Sequence, residues 1–151
     1  MPFRHAELKA ARPPSAAYPK QINTLGNHIR KRRLDLRLSQ KQAAELIGVK
    51  KGSLENWEGQ HRNPALPIMP AIIRFLGYNP LPEADTLANK LTRYRVSLGI
   101  TQEALARKLG VDPCTLARWE RGDRTPIGLY RKLVEKLLTD RQDYLEKGLG
   151  R

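Results

Sequence analysis

The sequence predicts an all-α protein built from two sister helical domains in tandem, of four to five helices each, joined by a short linker. Three observations carry that expectation. First, shifting the chain by 62 residues brings 13 identities into register over the 40 positions from 25 to 64, far above chance. They include Arg33 with Arg95, Gln40 with Gln102, Ala44 with Ala106, Gly48-Val49 with Gly110-Val111, Leu54 with Leu116, and Trp57-Glu58 with Trp119-Glu120. Second, no strand-type alternation is long enough to define a strand, whereas apolar residues recur at helical spacing. Third, polar capping residues precede these apolar stretches and glycines follow them. Two copies are too few for a solenoid, so the repeat implies two small domains.

The elements follow in order. Residues 1–20, with Ala, Pro, Arg4, Lys9 and Arg12, read as a flexible basic arm. The first domain spans 21–77. Its first helix runs over about 24–36, with Leu25, Ile29 and Leu36 as its apolar residues. Ser39 is an N-cap, a second helix covers roughly 40–47, and Gly48 ends it. A third helix covers about 51–58. After the loop HRNPALP, a fourth carries Ile68, Ile72, Ile73, Phe75 and Leu76 and stops at Gly77. The Pro-rich segment 78–85 reads as the linker.

The second domain, 86–147, repeats the pattern. Thr101 caps its second helix, which ends before Gly110. Asp112 caps the third, with Pro113 in the favoured first position. A long last helix carries Leu129, Leu133, Leu137 and Leu138 and extends through Tyr144 and Leu145.

Composition bounds the function. A chain of 151 residues is too short for a (β/α)₈ barrel or a two-domain dehydrogenase. Lys plus Arg number 28 against 15 Asp plus Glu, a net charge of +13. Such an excess on a small body attracts polyanions, nucleic acid first. The charge divides as +2 over 1–19, +7 over 20–82 and +4 over 83–151. The single Cys114 leaves no intramolecular disulfide and suits a reducing compartment. His5, His28 and His61 have no metal-ligand spacing, so neither a metal nor a cofactor is expected. There is no apolar run of ~20 residues to span a membrane, and the N-terminal stretch lacks the apolar core of a signal peptide. No phosphate-binding glycine loop, nucleophile elbow or paired catalytic carboxylates stand out, so an enzyme is not expected. A cytoplasmic, nucleoid-associated protein is the expectation.

Helix, glycine-containing turn, helix is the outline of a helix-turn-helix. Ser39-Gln40-x3-Ala44-x3-Gly48-Val49-x4-Leu54-x2-Trp57-Glu58 resembles the Cro and lambda-repressor-like (XRE) family, and the stretch Thr101 to Gly122 resembles it more closely still. The resemblance implies two tandem lambda-repressor-like domains and a bacterial or phage transcriptional regulator, most simply a repressor. It implies structural ion pairs Arg33 with Glu58 and Arg95 with Glu120. It implies recognition helices at about 51–58 and 113–121 in the major groove of double-stranded DNA. Lys51, Ser53 and Asn56 in the first copy, and Cys114, Thr115 and Arg118 in the second, then stand at base edges. Lys and Arg suit guanine and Asn suits adenine. Gly52 departs from the family by leaving a bare reading position. Gln40, Lys50, Arg62, Gln102 and Arg124 are the implied phosphate contacts.

No sensor domain is visible, so no small-molecule ligand is expected. The sequence leaves room for a homodimer. It also leaves room for an adaptor or antitoxin-like role in which one copy serves dimerisation, with Leu133, Leu137, Leu138, Tyr144 and Leu145 as the surface or as ordinary core.

Overall fold

The computed structural model describes residues 17–148 and, in the last helix, side chains up to residue 140. Arg4, Lys9 and Arg12 of the expected arm, and the side chains of Tyr144 and Leu145, lie outside the described residues. Among the described residues there are eight α-helices, one 3₁₀ turn and no strand. Contacts divide the chain into two units, residues 1–64 and 65–151.

The first unit holds α1 (Leu25–Asp35), α2 (Gln40–Ile47) and α3 (Lys51–Glu58). The first two starts have a local cause. Thr24 Oγ1 accepts from the Asn27 amide at 3.2 Å. At α2, Ser39 Oγ accepts from the Gln42 amide at 3.1 Å while Gln42 Oε1 accepts from the Ser39 amide at 2.9 Å, a reciprocal capping box. Gly48 then turns the chain at φ +91, in the left-handed region where a β-carbon is strained. Ile29, Ala43, Ala44, Ile47, Leu54 and Trp57 are buried. Leu36 does not join them. It is the C-cap residue after α1 and is 42% exposed.

The second unit begins with the 3₁₀ turn Leu66–Ile68 and α4 (Met69–Leu76), followed by α5 (Leu87–Leu98), α6 (Gln102–Leu109), α7 (Pro113–Arg121) and α8 (Gly128–Gly148). The contact boundary therefore falls after Pro64, and α4 groups with the second unit instead of closing a 21–77 domain. The physical reason is close packing. α4 lies against α5, and the Leu66 carbonyl and the Pro70 ring approach Gly99, at the end of α5, too closely for a β-carbon there.

Asp112 Oδ1 accepts from the Cys114 amide at 2.8 Å to cap α7, with Pro113 in the first turn. The core joins Leu91, Tyr94, Leu105, Ala106, Leu109, Leu116, Trp119 and Val134. α8 is anchored through Val134, Leu137 and Leu138, and by Tyr130, whose ring lies 6.1 Å from that of Trp119. Leu129 and Leu133, expected on the apolar stripe of this helix, are instead 79% and 41% exposed. Positions 134, 137 and 138 share one face at three- and four-residue spacing, and 129 and 133 lie off it.

Candidate nucleic-acid interface

The same polar lock closes both units. Arg33 lies on α1 and Glu58 ends α3. The guanidinium meets the carboxylate twice, Nε to Oε1 at 2.7 Å and Nη2 to Oε2 at 2.9 Å. Arg33 Nη1 also donates to the Leu38 carbonyl at 3.0 Å, and Gln40 Nε2 donates to Glu58 Oε2 at 3.1 Å. In the second unit Arg95 meets Glu120 at 2.7 and 3.2 Å and donates to the Ile100 carbonyl at 3.0 Å, and Gln102 donates to Glu120 at 2.8 Å. Both carboxylates are almost wholly removed from water. Four groups from the first helix, the turn, the second helix and the end of the third are thus joined through one ion pair. Two-pronged guanidinium–carboxylate geometry fixes orientation as well as distance.

That lock sets the face that α3 and α7 present. Lys51 is exposed, and Ser53 and Asn56 are half-buried. Cys114 and Arg118 are exposed and Thr115 is half-buried. Lys50 and Arg62, and Arg124 in the second unit, are exposed. Past α3, the Asn56 carbonyl accepts from the amides of His61 at 2.9 Å and Arg62 at 3.3 Å. Past α7, the Arg118 carbonyl accepts from Asp123 at 3.0 Å and Arg124 at 3.3 Å. In each unit one carbonyl therefore ties the loop arginine to the helix residue expected at a base edge.

A helix-turn-helix family model matches residues 29–82 and again 91–138, more than half of the chain. The chain belongs to the Cro/C1-type helix-turn-helix family, the XRE type. This is a family of DNA-binding transcription regulators, and here its module occurs twice in tandem. The first match runs to 82 and takes in α4, which groups by contacts with the second unit. Comparison with curated proteins and with solved structures returns no match. No helix among the described residues is long and apolar enough to cross a membrane.

The two helix-turn-helix modules differ where they would meet a ligand. α3 begins at Lys50 without a side-chain cap, and Lys51 Nζ pairs with Glu55 at 3.1 Å on the exposed face. α7 begins with capping Asp112 and carries Ala117 where α3 has Glu55. Gln40 and Gln102, expected on phosphates, each commit one amide hydrogen inward to the buried glutamate. Sequence reasoning missed that bond. The repeat keeps both glutamines 18 residues before a glutamate, but that spacing alone states no contact.

One more difference lies in the backbone. The two described non-glycine residues with positive φ are Arg37 at +58 and Gln60 at +61. Shifted by 62 they fall on Gly99 and Gly122, at +69 and +82. The first module therefore holds side chains in left-handed conformations that glycine supplies in the second.

Proposed function

We propose that this chain binds double-stranded DNA sequence-specifically and acts as a transcriptional repressor, with α3 and α7 in the major groove. The observation that supports this best is the shared carbonyl in each module. It anchors an exposed loop arginine, Arg62 or Arg124, beside a helix side chain suited to base edges, Asn56 or Arg118. On this reading Lys51, Ser53 and Asn56, and Cys114, Thr115 and Arg118, face the bases. Lys50, Arg62 and Arg124 take phosphates. Gln40 and Gln102 join them through the amide hydrogen not given to glutamate. The charge of +7 over 20–82 gives the first module the larger salt-dependent share. This reading implies a cytoplasmic, nucleoid-associated protein.

Selection from random duplexes with the full chain tests the proposal, followed by a reporter driven from a promoter bearing the selected motif. An enriched motif and reduced reporter output are expected. Failure to enrich any motif sinks sequence-specific binding, and increased output reverses the sign of regulation.

A homodimer is a second reading favoured by one observation. Ile127, Leu129, Tyr130 and Leu133 expose a run of apolar surface at the start of α8. Sedimentation equilibrium of the full chain and of Leu129→Ser decides it, since only a dimer held by this surface dissociates on substitution.

A further inference from the structure

The second unit carries an open surface pocket, called the cavity below, of about 340 Å³ between the 81–84 segment and α5. That size falls within the usual range for small-molecule pockets. Leu81, Pro82, Ala84 and Val96 give it apolar walls, and Asn89 and Arg93 give it polar ones. Arg95, which forms the lock, lies two residues beyond Arg93 and so about 200° around α5. The cavity is thus on a different side of the helix from the ion pair.

The internal repeat shows what this place does elsewhere in the chain. Residues 21–23 of the first unit correspond to 83–85 of the second, and Asn27 corresponds to Asn89. Asn27 is buried. Its Nδ2 donates to the Gln21 carbonyl at 2.9 Å and to Asn23 Oδ1 at 3.1 Å, and its Oδ1 accepts from Gln60 Nε2 at 3.2 Å. The first unit therefore satisfies this asparagine with its own chain. In the second unit Asn89 is exposed at the cavity, and its carboxamide makes no hydrogen bond among the described residues.

Arg93 is the second unusual group. Its Nε is buried without a hydrogen-bond partner. Its Nη2 reaches only to 3.9 Å from the carboxylate of Glu83, itself 93% exposed. A contact so long and so wet holds a guanidinium weakly. A carboxylate inside the cavity would meet it with shorter, charge-assisted bonds.

We infer that this cavity binds a small amphipathic carboxylate, its acid group on Arg93, its apolar body between Pro82 and Val96, and any amide or hydroxyl group on Asn89. Glu83 is then a competing internal carboxylate. The site revises the expectation that the chain takes no small molecule, and it does not depend on the proposed DNA role.

Isothermal titration of the full chain with octanoate, and with 1-octanol as its neutral counterpart, tests the inference. Octanoate is expected to saturate at one site, at least ten-fold tighter than octanol. Arg93→Gln should remove that preference. Glu83→Gln, on a side chain too exposed to affect folding, should tighten octanoate several-fold, and Val96→Trp should abolish binding of both by filling the cavity. Equal affinity for octanoate and octanol, octanoate binding unchanged in Glu83→Gln, or no saturable binding of octanoate overturns the inference. Loss of folding in Arg93→Gln leaves the Glu83→Gln comparison to decide.

Discussion

Arg95 grips Glu120 with two nitrogens across 25 residues of sequence, and the Glu120 side chain is only 5% exposed. Removing one partner of such a pair leaves a charge or a set of donors without compensation in a dry place. Glu120→Gln is expected to cost about 3 kcal/mol of stability, read as a lowered urea midpoint. The double substitution Arg95→Met with Glu120→Leu should recover most of the loss, because no buried charge then remains. A double substitution as unstable as the single one would refute this account.

Arg37 and Gln60 hold left-handed backbone conformations that cost a non-glycine residue about 1 kcal/mol. Arg37→Gly is therefore expected to stabilise the chain by up to that amount. Gln60→Gly should gain less, because it also gives up the bond to buried Asn27. Denaturant unfolding of both variants checks the order, and equal gains would contradict it.

A β-carbon on Gly26 would run into the Trp57 carbonyl, so α1 and α3 touch there through bare backbone. Gly26→Ala must push them apart and is expected to destabilise by about 2 kcal/mol, despite the better helix propensity of alanine. The second copy carries Ala88 at this position. Ala88→Gly should cost about 1 kcal/mol, from propensity alone. Thermal unfolding of the two variants separates a steric cause from a propensity cause.

Lys51 and Glu55 form an exposed pair one helical turn apart, and such pairs contribute under about 0.5 kcal/mol. Glu55→Ala should leave stability nearly unchanged. It should raise affinity for DNA of any sequence, since it removes a negative charge from the proposed groove face and frees an ammonium. Weaker binding of the selected motif, with random duplexes unaffected, would show instead that Glu55 reads a base.

Asn56→Ala and Arg118→Ala should each cost about 1–3 kcal/mol toward the selected motif and relax preference at one base pair. Arg62→Ala and Arg124→Ala should weaken all duplexes alike and lower the salt slope by about 1 each. Competition binding at two salt concentrations distinguishes the classes. A uniform loss for Asn56→Ala would remove it from base readout.

Much of the fold was legible because most helices announce their own ends. Ser39 with Thr101, and Gly48 with Gly110, act within four residues of themselves and check one another across the repeat, whereas Asp112 caps α7 alone, its twin Lys50 making no side-chain cap. α4 falls in the first module by the family match, as the sequence reading has it, and in the second unit by contacts. Its apolar residues state that it is buried but not against what, and that depends on which surface reaches it. The stripe on α8 was misjudged for a related reason. Leu129, Leu133 and Leu137 recur every four residues and drift about 40° per step away from a 3.6-residue period, whereas Val134, a smaller and less conspicuous residue, faces the core. For the site, the identities of the lock residues came from resemblance, while the inward bond of Gln40 and Gln102 needed coordinates. The strained positions of Arg37 and Gln60 could have been found by asking why the other copy uses glycine there.

The carbonyls of Asn56 and Arg118 belong to the main chain, and every amino acid supplies one. The side chains at 56 and 118 can therefore be exchanged without loosening the loops that hold Arg62 and Arg124. On the proposed reading, vocabulary and grip are separable in this architecture. New target sequences are then expected to be reachable by single substitutions at these two positions, with the hold on the duplex inherited intact.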